Sequence, residues 1–137
     1  MLDGSKGVTD QAFNDVKDFI LRHIGSYQIS PTESRVGFIV IGDDNSGKDH
    51  QYTAPSGDLN AIKTTLRQLR KDGGDRRLEK TFYYLQQRLG DFRQINNKIV
   101  VTFLHGDNAK EGKAKLASAA RVLYGKSLKH VHQKAFN

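Results

Sequence analysis

Arg35-Val36-Gly37-Phe38-Ile39-Val40-Ile41 is apolar at Val36, Phe38, Ile39, Val40 and Ile41, on both of the faces that alternate along an extended chain. An interior strand of a parallel sheet needs this pattern, because crossover helices cover both of its faces. Lys98-Ile99-Val100-Val101-Thr102-Phe103-Leu104 reads as a second strand buried on both sides. Helical spacing surrounds the two. Phe13, Val16, Phe19, Ile20 and Ile24 predict a helix from about Asp10 to His23, capped by Thr9 or Asp10. Leu59, Ile62, Leu66 and Leu69 predict a second helix after Pro55-Ser56-Gly57. Leu78, Phe82, Leu85 and Leu89 predict a third beyond Gly73-Gly74, and Leu116, Ala119, Ala120 and Leu123 a fourth over about Ala109 to Tyr124, closed by Gly125. Gln51-Tyr52-Thr53 suits a short edge strand, and Ser127 to Val131 opens a last one. This order implies an α/β fold, a doubly wound, mostly parallel sheet with helices on both faces.

Only Met1 and Leu2 precede Asp3, so the first strand is expected to be a stump. The single domain, 1–137, is expected to be incomplete at both ends, unstable when isolated, and open beside the 98–104 strand.

At 137 residues the chain holds one domain with a real core. With 36% hydrophobic and 27% charged residues it has a soluble composition, and no apolar run reaches the length of a membrane span. No signal peptide is visible. The absence of cysteine excludes disulfides and thiolate metal sites. From Lys110 onward, Lys110, Lys113, Lys115, Arg121, Lys126, Lys129 and Lys134 face Glu111 alone, so this region carries six of the seven net positive charges. Such a surface attracts polyanions, acidic glycans among them, or is simply a solvated helix face. Sparse aromatics and the lack of a recognition motif argue against nucleic acid.

Leu2-Asp3-Gly4-Ser5, the helix holding Phe13, Val16, Lys17, Asp18 and Phe19, the Arg35-Val36-Gly37 strand start, Gly73-Gly74 before a helix, and the 98–104 strand ending in His105-Gly106 together resemble a von Willebrand factor type A domain. The resemblance spans essentially the whole chain in order and is similar to the family's extracellular branch, the modules of collagens, matrilins and other matrix proteins. It implies a secreted, extracellular adhesion or matrix module that binds another macromolecule through loops at one sheet edge. In metal-competent members those loops carry a metal-ion-dependent adhesion site, where a divalent cation grips a partner's carboxylate.

On that resemblance, Asp3 and Ser5 match the first carboxylate and hydroxyl of the family's D-x-S-x-S motif. Gly7 replaces the second serine, Arg76 falls near the family's threonine, and His105 falls on its strand-end aspartate. Asp3 and Ser5 remain the candidate ligands for Mg²⁺, but losing a carboxylate and gaining basic groups decides against a conventional ion site, and no cofactor is expected. The alternative is that Arg76, assisted by Lys6 or His105, fills the ion's place and pairs with Asp3. The candidate ligand-binding surface is then Asp3, Ser5, Lys6, Arg76 and His105. Asp107 is the one nearby carboxylate able to rescue an ion site.

A different class of answer starts from Gly42-Asp43-Asp44-Asn45-Ser46-Gly47-Lys48-Asp49, which nearly spells a phosphate-binding loop and would make the chain an intracellular nucleotide- or nucleic-acid-binding domain. Asp49 stands where that loop needs a hydroxyl, and Asp43 and Asp44 bring negative charge toward phosphates. His130 and His132 share a strand face but lack a third ligand. His23 suits the negative end of the first helix. Tyr52, Tyr83 and Tyr84 form either an aromatic contact surface or half-buried packing. Ser5 has no evident base, so an enzyme is not expected. A purely structural module with a decayed site is the third reading.

Overall fold

The computed structural model describes residues 1–42, 51–94 and 98–105, and the backbone of 130–136. The five strands β1 (Leu2–Asp3), β2 (Val36–Ile41), β3 (Tyr52–Ser56), β4 (Ile99–His105) and β5 (His130–Phe136) form one sheet in the order β3-β2-β1-β4-β5. β1 runs parallel to β2 and β4, β4 parallel to β5, and β3 antiparallel to β2. The sheet is doubly wound and mostly parallel, with an antiparallel edge.

Three helices are described: α1 (Asp10–His23), α2 (Leu59–Gln68) and α3 (Leu78–Gln87). Thr9 caps α1 by accepting from the Ala12 amide, and Asp58 caps α2 by accepting from the Asn60 and Ala61 amides. The helices divide between the two faces, and successive strand residues feed opposite cores. Leu2, Phe38 and Val40 pack with Phe13 of α1 and Ile62 and Leu66 of α2. Met1, Ile39, Ile41, Val100 and Leu104 pack with Leu78, Phe82 and Leu85 of α3.

Several expectations need correction. The edge strand expected over Gln51-Tyr52-Thr53 is longer; β3 continues through Ser56, because proline is tolerated on an edge strand that needs no donor there. Leu69 and Leu89 lie just past the helices whose apolar stripes they continue, Leu69 as the residue closing α2 and Leu89 in a 3-10 turn. β4 is not buried on both faces throughout, since Ile99 is 56% and Val101 39% exposed. The reason is local. β1 pairs with β4 at Leu2 and Phe103, and Ile99 and Val101 line an open cleft beyond that pairing. The last strand is described over His130–Phe136. The predicted helix over about 109–124, Asp107, and the near phosphate loop beyond Gly42 lie outside the described residues.

Candidate functional site

β1 ends at Asp3, at the carboxyl edge of the sheet, and the chain turns immediately. The Gly4 amide donates to the Ile41 carbonyl, 2.9 Å away. The Gly4 carbonyl in turn accepts from the Gly73 amide at 2.9 Å, and the Lys6 amide donates to the Gly74 carbonyl at 2.7 Å. Two glycines make this pairing of loops feasible. A Cβ on Gly4 would lie 2.5 Å from Val40 Cγ1, and Gly73 has φ of +81°, a left-handed conformation that glycine adopts without strain. Lys71 fastens the next residues, with Nζ donating to the Val8 carbonyl at 2.7 Å and pairing with Asp10 at 3.3 Å.

The zipped loops bring Asp3, Ser5 and Arg76 together. Asp3 and Ser5 are buried. Ser5 Oγ and the Ser5 amide both donate to Asp3 Oδ1, at 2.7 and 3.2 Å. Arg76 Nη1 donates to Asp3 Oδ2 at 3.0 Å and to the His105 carbonyl at 3.2 Å. The pair is sheltered, with side-chain exposures of 15% for Arg76 and 2% for Asp3. One guanidinium thus ties the end of β1 to the end of β4.

Lys6 lies elsewhere. Its side chain is 73% exposed and its ammonium pairs with Asp75 at 2.6 Å, so it borders the site without touching Asp3. His105 enters through its backbone carbonyl. Asp75 and Lys71 organise the rim although neither was singled out from the sequence; the one signal was the density of charge and glycine in Lys71-Asp72-Gly73-Gly74-Asp75-Arg76-Arg77.

Mg²⁺ requires near-octahedral oxygen ligands at about 2.1 Å. This donor set does not suit it. Both Asp3 oxygens already accept hydrogen bonds, one of them from a cation, and an ion would have to displace the guanidinium and meet its charge. Among the described residues, no group of three or more His, Cys, Asp and Glu gathers where an ion could be held.

The remaining singled-out residues have structural settings. His23 Nδ1 lies 2.7 Å from the Phe19 carbonyl, and its ring packs on Phe19 with centroids 4.2 Å apart. Tyr52 and Tyr84 pack edge to face at 5.9 Å against the α3-side core, with the Arg88 guanidinium beside both rings. Tyr52 donates to Asp91, and burial together with that carboxylate pushes its phenol pKa up. Tyr83 is 64% exposed. For His130 and His132 the backbone alone is described, opposite Ile99 and Val101.

Among the described residues no helix is long and apolar enough to cross a membrane. No curated protein matches the sequence. Residues 1–132 match the family described as von Willebrand factor type A domain. That match covers nearly the whole chain and agrees with the doubly wound sheet and the Asp3-Gly4-Ser5 turn at its carboxyl edge, so the chain belongs to the von Willebrand factor type A domain family.

Proposed function

We propose that this domain is a secreted extracellular adhesion or matrix module that binds a protein partner through the sheet-edge rim around Asp3, Ser5, Lys6, Arg76 and His105, without a divalent cation. Membership of the family makes it a protein-interaction module in general. The observation that carries the finer reading is the Arg76 guanidinium at 3.0 Å from Asp3, in contact with the carboxylate an ion would need. Positive charge at the rim is then supplied by side chains, with Lys6 and Arg77 exposed beside the buried pair. The partner surface that fits is acidic. An acidic matrix protein is the preferred partner and an acidic glycan the second, the latter favoured by the charge excess after Lys110. The domain acts by binding, with no catalytic step.

Thermal unfolding in Mg²⁺ and in a chelator tests the ion independence. Coincident curves are expected, and a melting temperature that falls on chelation overturns it. Capture on immobilised matrix proteins and heparin in chelator, with Lys6→Glu beside the unaltered domain, tests the rim. Lys6 is exposed, so the variant keeps its fold; it is expected to lose capture by about tenfold. Unchanged capture moves the partner surface away from the rim. A salt titration separates the partners, since polyanion binding weakens steeply with ionic strength and a packed protein interface much less.

A further inference from the structure

Between Leu59 and Lys71 the chain holds Lys63, Arg67, Arg70 and Lys71 and no acid. The core residues along and just past α2 are Ile62, Leu66 and Leu69, and each is followed directly by a cation. Lys63, Arg67 and Arg70 therefore repeat the spacing of the core, turned by about 100° to the flank of the helix. Arg67 and Arg70 are exposed and Lys63 is half-buried. Among the described residues no acid pairs with any of the three. Asp58 is engaged by the amides at the start of α2, and Lys71 by Asp10 and the Val8 carbonyl. Capping does not account for this charge. The Arg67 and Leu69 carbonyls, which last-turn cations ordinarily serve, accept from the buried Lys17 ammonium at 2.8 and 2.9 Å. Arg70 is held by its backbone, the amide donating to Gln51 Oε1 at 2.9 Å and the carbonyl accepting from Gln51 Nε2 at 2.8 Å. Its Nη1 lies 3.4 Å from the Arg67 carbonyl, so Lys17, Arg67 and Arg70 gather at one helix end. Like charges so close oppose one another, and an anion arriving from solution relieves them.

We propose that the stripe of Lys63, Arg67 and Arg70 is a track for a sulfated glycan chain, separate from the rim. It rests on the extracellular reading above and gives the glycan a place of its own. The row runs about 10 Å along the helix, a shape that suits a linear polyanion. Two of its three cations are guanidiniums, whose planar fork can give two hydrogen bonds to the oxygens of one sulfate. The surroundings select against other polyanions. The large exposed hydrophobics, Tyr27, Tyr83, Ile99 and Val101, all lie on other elements. Without an aromatic on the stripe a single-stranded nucleic acid has no platform to stack on, and without an apolar anchor a packed protein interface has no centre. A duplex carries its phosphates in two rows, of which a single stripe meets one.

The test titrates the full chain with heparin over a range of salt. Arg67→Gln combined with Arg70→Gln is expected to weaken binding about tenfold and to lower the slope of log affinity against log salt by about two. Both side chains are exposed, and removing like charge leaves the melting temperature no lower than that of the unaltered chain. Arg67→Lys combined with Arg70→Lys keeps the charge and is expected to recover most of the slope. Capture of matrix proteins by the rim is read separately with Lys6→Glu, so either reading can fail without the other. Four results overturn the proposal. Unchanged heparin affinity in the double glutamine variant, or loss of it in Lys6→Glu instead, removes the glycan from α2. A lowered melting temperature in the glutamine variant assigns the cations to the helix end. Binding of hyaluronan, which carries carboxylates and no sulfate, as tight as that of heparin removes the sulfate. Equal affinity for duplex DNA or polyglutamate removes the glycan.

Discussion

A carboxylate with 2% of its side chain exposed cannot stay charged without partners, and Asp3 has three donors: the Ser5 hydroxyl, the Ser5 amide and the Arg76 guanidinium. Arg76→Ala removes the only cation of the three. We expect a loss of about 3 kcal/mol in urea unfolding, with Arg76→Lys recovering part of it because an ammonium restores charge without the planar fork. The reverse experiment restores the family's donors. Gly7→Ser, Arg76→Thr and His105→Asp together should create a Mg²⁺ site, seen as a melting temperature that rises with Mg²⁺; at about a hundredfold excess over Kd the gain is about 2.7 kcal/mol. A triple variant indifferent to Mg²⁺ would show that the loops are not placed as the family's pattern implies. The Asp3 and Arg76 pairing was legible in sequence because a basic residue replacing a ligand must answer the carboxylate left behind. The position of Lys6 was not, since a long exposed side chain takes the nearest acid, and only the folded loop decides that this is Asp75.

Helix α2 shows how ends are satisfied by different means. Asp58 receives two amides at its start, at 2.9 and 3.0 Å. At its finish, Lys17 reaches across from α1 to donate to the Arg67 and Leu69 carbonyls at 2.8 and 2.9 Å. Lys17 is 8% exposed and its ring neighbour is Phe13, so burial first, and the charge of Arg70 second, push its pKa down. Asp58→Ala should cost about 1 kcal/mol. Lys17→Met, which keeps the apolar stem and removes both hydrogen bonds, should cost about 2 kcal/mol, measured by the same unfolding. Equal stability in the methionine variant would mean that water serves those carbonyls as well. Helix periodicity gave α1, α2 and α3 to within a residue or two, since each buries one stripe. Periodicity could not assign Lys17, which stands in that stripe between Phe13 and Ile24, because the carbonyls it serves lie fifty residues away in the chain. Nor could pattern alone separate the buried positions of β4 from its exposed ones; Ile99 and Val101 read as core in any window, and exposure depends on what the fold sets against each residue.

At the scale of the molecule, β1 lies between β2 and β4 and delivers Asp3 to the rim at the carboxyl edge of the sheet. The Met1 amine is where this geometry meets solution conditions. Burial lowers its pKa from 8.0 to about 5. Between those values the unfolded chain holds a proton that the folded chain does not, so unfolding takes up a proton and falling pH favours it. The sign is therefore fixed. This group costs nothing above pH 8.0, destabilises the fold progressively from there down to about pH 5, and exerts its full effect below that. The full effect is on the order of 4 kcal/mol. N-acetylation provides the control, because it replaces the titrating amine by an amide that keeps an N–H for the Val101 carbonyl. Groups elsewhere in the chain contribute equally to both forms. The acetylated and free chains should thus have unfolding free energies that diverge as pH is lowered from about 8 to 5, the acetylated chain being the more stable. Parallel curves would mean that the amine is solvated in the folded protein.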